Sequence, residues 1–196
     1  MQEAPVATQQ REAMRSAPPF VFGADQVILS GRPKGAELLQ AITQHMERQP
    51  ENQAVPLDFS HISFIDVSCA DELLSKLLLR IRSGELGQRF IYIQGYNSSL
   101  GETIEAVLQL RGLCILSRAE DAGQLLGDLK RPLREALDVV LEGGSITSAA
   151  MAEALGKNVN IVCNRLNALQ RMGLVCRRRD DTVSGGGRQY CYVALF

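Results

Sequence analysis

Apolar positions along the chain follow two periods, and the switches between them divide it into short elements. Phe20-Val21-Phe22 and Val27-Ile28-Leu29 flank a Gly-Ala-Asp turn and read as a hairpin or two short strands. Leu38, Leu39, Ile42 and Met46 recur at helical spacing and predict a helix from about Lys34 to Arg48. Ala54 to Phe59 reads as a strand, in which Pro56 lacks a ladder donor and so implies an unusual register or position. After Ile62, Phe64 and Ile65, a helix is predicted from Ser68 to Ile81, with Leu73, Leu74, Leu77, Leu78 and Ile81 on one broad face. Phe90 to Gly95 is apolar enough for a strand inside a covered sheet. Ser99 to Leu110 predicts a helix ending near Gly112, Leu113 to Leu116 a strand, and Ala119 to Leu129 an Ala/Leu-rich helix.

Beyond Lys130-Arg131-Pro132 the elements shorten. Pro132 opens a helix through about Glu142, stopped by Gly143-Gly144; Ser145 to Thr147 reads as a short strand and Ser148 to Leu155 as a second helix. Gly156-Lys157-Asn158 makes a sharp turn in which Asn158 caps a third helix, Val159 to Met172, with Val162, Leu166 and Leu169 facing inward. Leu174 to Arg179 and Arg188 to Leu195 then form two strands joined by a glycine-rich loop. The expected organisation is a mobile tail over residues 1–19, an α/β domain over 20–130 built as a mixed sheet with helices on one face, and a second domain over 131–196.

Composition narrows the chemistry. With 45% hydrophobic and 22% charged residues the chain is an ordinary globular protein, and without an apolar run of membrane-spanning length or a signal-peptide pattern it is expected in the cytoplasm, away from membranes. Cys69, Cys114, Cys163, Cys176 and Cys191 show no CxxC pairing and only two histidines accompany them, so neither metal site nor disulfide framework is expected. No P-loop, GxGxxG or HExxH is present, and no cofactor or enzymatic activity is expected. His61, Asp66, Ser68, Asp71 and Glu72 gather nucleophile and acid types, but nothing local positions His61 as a base. From Pro132 onward eight basic side chains oppose six acidic ones, a net +2 that leaves −3 for the rest; Arg177-Arg178-Arg179 concentrates that positive charge.

The stretch from Leu57 to Leu74, including Asp66-Val67-Ser68-Cys69, resembles the STAS domain of anti-sigma-factor antagonists, and Leu110-Arg111-Gly112-Leu113 is similar to the family's late Gly-Leu. The likeness covers roughly residues 20–129. Val67 and Cys69 stand where the family has Ser and Gly. The resemblance implies the STAS fold, and it aligns Ser68 with a phosphorylated serine and Asp66 with the preceding Asp, so a protein kinase or another signalling protein is the implied partner. Independently, a serine opening a helix with acids three and four residues later is an N-cap of capping-box type. A phosphate there would meet backbone N–H groups at the helix start, and Asp66, Asp71 and Glu72 would repel it.

Ala152 to Gly156, Val162, Leu166, Leu169 and Gly173-Leu174-Val175 resemble winged helix-turn-helix regulators of the bacterial repressor kind, across essentially all of residues 132–196. The resemblance implies duplex DNA as partner and a homodimer. Asn160 and Asn164 are the base-contact candidates, because an amide can pair with adenine N6/N7. Asn158 and Asn167 flank them, and Lys157, Arg165, Arg171, Arg177, Arg178, Arg179 and Arg188 are phosphate or minor-groove candidates. The expected function is a DNA-binding transcriptional regulator whose STAS-like domain senses a partner, ligand or phosphorylation. The alternative is a signalling adaptor in a partner-switching cascade, with both domains docking proteins.

Overall fold

The computed structural model describes residues 14–119, 122–180 and 189–196. Five strands, β1 (Phe20–Val21), β3 (Gln53–Asp58), β5 (Arg89–Gln94), β6 (Cys114–Ala119) and β7 (Ala122–Gly127), form a sheet in the order β1-β3-β5-β6-β7. The pairing is parallel from β1 to β6 and antiparallel between β6 and β7, so the protein is mixed α/β with a mixed sheet. The short strands β2 (Ile28–Leu29) and β4 (Phe64–Ile65) pair in parallel beside it, so residues 20–29 supply two strands of different sheets and not a hairpin.

Side-chain alternation gives the sheet two buried faces. Val55, Leu57, Ile91, Ile93 and Ile115 face a core shared with α1 (Arg32–Glu47), α2 (Val67–Ala70), α3 (Lys76–Ser83) and α4 (Ser98–Arg111). Ala54, Phe90, Tyr92, Cys114 and Leu116 point the other way, into a core built with α5 (Arg131–Gly143), α6 (Ser148–Leu155) and α7 (Val159–Arg171). This double cover is why β5 reads as an unbroken apolar run. Residues 131–196 therefore pack on the sheet itself: the Tyr92 and Phe196 rings lie 4.6 Å apart, and the Met14 amide donates to the Ala194 carbonyl at 3.1 Å.

Two sequence expectations change, and the unusual position expected of Pro56 finds its cause. The helix expected over Ala119 to Leu129 is replaced, over Ala122–Gly127, by a strand: β7 pairs with β6, sending Leu126 to one core and Leu125 to the other. Within the expected tail, Met14 and Ala17 are buried and bound to backbone, while residues 1–13 lie outside the described residues. Pro56 sits in β3 between two partner strands. The Ala54 amide donates to Arg15, and amides two residues apart point the same way, so the missing Pro56 donor faces Pro18-Pro19, where the edge partner is interrupted.

Helices α2 and α3 are joined by a π-helical turn, Asp71–Ser75, so the predicted helix is continuous from Val67 to Ser83 but carries one wide turn. Beyond Arg131 the elements fall where periodicity places them. Three helices accompany a sheet ordered β8-β10-β9, formed by β8 (Ser145–Thr147), β9 (Cys176–Asp180) and β10 (Gln189–Val193). No helix among the described residues is long and apolar enough to cross a membrane.

Candidate nucleic-acid interface

Helices α6 and α7 are set by their caps. The Thr147 hydroxyl accepts from the Ala150 amide at 3.2 Å, which starts α6 directly after β8. Gly156, at φ 59°, ends α6 in the left-handed region that favours glycine, and the Asn158 side chain accepts from the Asn160 amide at 2.8 Å to start α7. Asn158 is thus committed to capping. Val162, Leu166 and Leu169 are fully buried, which fixes the rotation of α7 about its axis.

That rotation turns Asn160, Asn164, Asn167 and Arg171, spaced four, three and four residues apart, into one stripe. Asn160, Asn164 and Arg171 are exposed; Asn167 is half-buried because its Oδ1 accepts from the Tyr192 hydroxyl at 3.0 Å. Beside the stripe lies an open groove of about 530 Å³. Cys163 and Asn167 of α7 line one side, the first residues of α6 another, and Arg177, Tyr190 and Tyr192 a third. The Arg177 guanidinium stacks 4.7 Å from the Tyr190 ring centre, which holds a cation over the groove.

The arginine run divides by strand alternation. Arg177 is paired with Tyr192 and Arg179 with Tyr190, placing both arginines on the groove face, whereas Arg178 shares the opposite face with Cys176. Arg165 departs from its expected role: its side chain, 15% exposed, turns toward α5, with a guanidinium nitrogen 3.6 Å from Glu135. Lys157 is exposed in the turn before α7. Arg188 lies outside the described residues. Sequence reasoning missed Tyr190 and the start of α6; the Thr147 cap ahead of an Ala-rich helix was the available signal for the latter.

Ser68 is exposed in the first turn of α2, but the cap is Asp66 and not Ser68. Asp66 Oδ1 accepts from the Cys69 amide at 2.7 Å, and Oδ2 from the Ser30 hydroxyl at 2.5 Å and the Gly31 amide at 2.8 Å. The Ser30 hydroxyl, above the other donors, holds this carboxyl below its usual range. Asp71 accepts two bonds from Arg111, at 2.7 and 2.6 Å, and Glu72 is paired with Arg32 at 3.3 Å and with Lys76. Of the acids expected to repel a phosphate at Ser68, Asp71 and Glu72 are therefore already matched by cations, whereas Asp66 is held by neutral donors. His61 is exposed, and no hydrogen bond joins it to Ser68. Val27, Ile28, Phe64 and Val67 leave large apolar surface exposed around this serine.

Burial pushes the Cys69 and Cys114 thiols up to about 11, so neither is a thiolate near neutrality. Among the described residues no group of three or more His, Cys, Asp or Glu side chains is placed to hold a metal ion. No protein-family model matches this chain, and no curated protein matches it.

Proposed function

We propose that residues 131–196 are a winged helix-turn-helix that binds duplex DNA, and that the chain is a transcriptional regulator whose STAS-like part receives the signal. The observation that carries this reading is the exposed Asn160 and Asn164 of α7 beside a groove flanked by Arg177 and the start of α6. In this reading α7 enters the major groove, Asn160 and Asn164 meet base edges, and the first amides of α6, with Lys157 and Arg177, meet phosphates. A homodimer presents two such helices to adjacent half-sites. Ser68, amid exposed Ile28, Phe64 and Val67, is the place where phosphorylation or a protein partner acts.

Fluorescence anisotropy with duplex DNA tests this. Wild type should bind with an affinity that falls steeply with added salt, as expected for counterion release. Asn160→Ala/Asn164→Ala should weaken specific binding by roughly 1–3 kcal/mol per lost base contact, and Arg177→Ala should lower the salt slope. Arg178→Ala, on the far face of β9, should do neither. Absence of binding by wild type at low salt would overturn the DNA reading in favour of a second one, a signalling adaptor. The apolar surface around Ser68 also favours that second reading, with both units docking proteins.

A further inference from the structure

The last turn of α3 and the end of α7 meet at a cleft that Phe90 of β5 also lines. Arg82, in the last turn of α3, and Arg171, the last residue of α7, both line two adjoining hollows of about 210 and 300 Å³. Neither arginine forms an ion pair with any described residue. Arg89, also at the cleft, differs: it lies 3.6 Å from Glu51 and bonds backbone carbonyls of the neighbouring turns, so it is a structural strut.

Basic residues commonly complement the negative end of a helix dipole; Arg82 stands in the last turn of α3, and Arg171 Nε donates to the Asn167 carbonyl at 3.4 Å. That end carries only about half a charge, so two unpaired arginines lining the same two hollows leave them positive. The cleft is also built. Gln170 donates to Gln88 at 3.1 Å, tying α7 to the turn before β5, and the amide pair borders the hollow. Phe90 and Met172 give it an apolar lining. The larger hollow reaches the lower limit of ordinary ligand pockets, about 300 Å³.

We infer that this cleft binds a phosphorylated small molecule of mononucleotide size. The phosphoryl oxygens bridge the Arg82 and Arg171 guanidiniums, whose planar donor forks match phosphate. The planar or apolar part lies against Met172 and Phe90, with the glutamine amides at its polar edge. Such a ligand links the α/β part to the end of α7, and it occupies the cleft whether or not residues 131–196 bind DNA.

Isothermal titration of the full chain at fixed ionic strength, with inorganic pyrophosphate and with adenosine monophosphate as probes, tests the site. Saturable binding of either probe is expected, weakened about tenfold or more by Arg82→Gln and by Arg171→Gln. Arg134→Gln, an exposed arginine on α5 outside the cleft, should bind as wild type does, and thermal melts should show all three variants folded. No saturable binding by wild type, or equal binding in both cleft variants, overturns the inference. So does a wild type that binds neither probe while Arg82→Gln loses DNA affinity, since the cation then serves the DNA backbone. A chain that binds a probe through Arg82 and Arg171 but binds no DNA overturns only the DNA reading.

Discussion

At the start of α2 one carboxylate gathers three donors from two segments. Asp66 receives Cys69 N–H within its own helix and the Ser30 hydroxyl and Gly31 amide from the turn ahead of α1. Removing it strips a cap and a tether, so Asp66→Ala should cost about 1–2 kcal/mol, whereas Ser68→Ala, at an exposed position with no capping role, should stay within about 0.5 kcal/mol. Urea unfolding of the two variants checks this; a larger loss from Ser68→Ala would overturn the assignment. Because the folded-state pKa of Asp66 is depressed, its contribution is present above the unfolded value of about 3.9 and disappears as pH falls through the folded pKa. Asp71, held down chiefly by Arg111, acts in the same sense. Wild-type stability should therefore fall below about pH 4, and less steeply in Asp66→Asn. Local sequence could not choose between Asp66 and Ser68, since both are good caps. The choice is made by the pairing of β4 with β2, which ends with the Asp66 amide donating to Leu29.

Where α1 crosses the π-helical turn, Gly35 lets the two backbones approach. A Cβ at this position would lie 2.8 Å from both the Cys69 carbonyl oxygen and Glu72 Cβ. Replacing a mid-helix glycine by alanine normally stabilises by about 1 kcal/mol, but overpacking against a fixed carbonyl costs about 1–3 kcal/mol. Gly35→Ala should thus be neutral to destabilising, with a lower thermal midpoint; a clear rise would mean that α1 can shift outward. The same scale explains the misread segment. Ala122 to Leu129 has the composition of a helix, yet Gln124-Leu125-Leu126 between Gly123 and Gly127 forms a strand with both faces apolar, because each leucine meets a different core. Alternation, the usual strand signal, is erased when both sides are covered. Elements from Arg131 onward were legible because each has its own cap or stop: Gly143-Gly144, Thr147, Gly156 and Asn158.

The two cores share one sheet, so neither half of the chain buries its apolar surface alone. A fragment ending at Lys130 would uncover Phe90, Tyr92, Cys114 and Leu116 and should bind a hydrophobic dye or self-associate, while the full chain should unfold in a single cooperative transition. A monomeric, dye-silent fragment would show that the second face tolerates water. The sequence marks a joint at Lys130-Arg131-Pro132 and is silent on what the sheet's second face meets, since contacts between distant segments leave no local period. It likewise marked the asparagines of α7. It could not show that Arg165 turns toward Glu135, or that Arg177 and Arg178 part to opposite faces.

The bond between the Met14 amide and the Ala194 carbonyl ties together the two ends of the described chain. During synthesis every parallel strand of the large sheet leaves the ribosome before the helices and strands that cover Tyr92 and Phe90, and this clasp cannot form until residue 194 has emerged. A nascent chain stalled short of that point carries an open apolar face, so the greatest need for a chaperone falls after most of the sheet is made and before residue 194 has emerged.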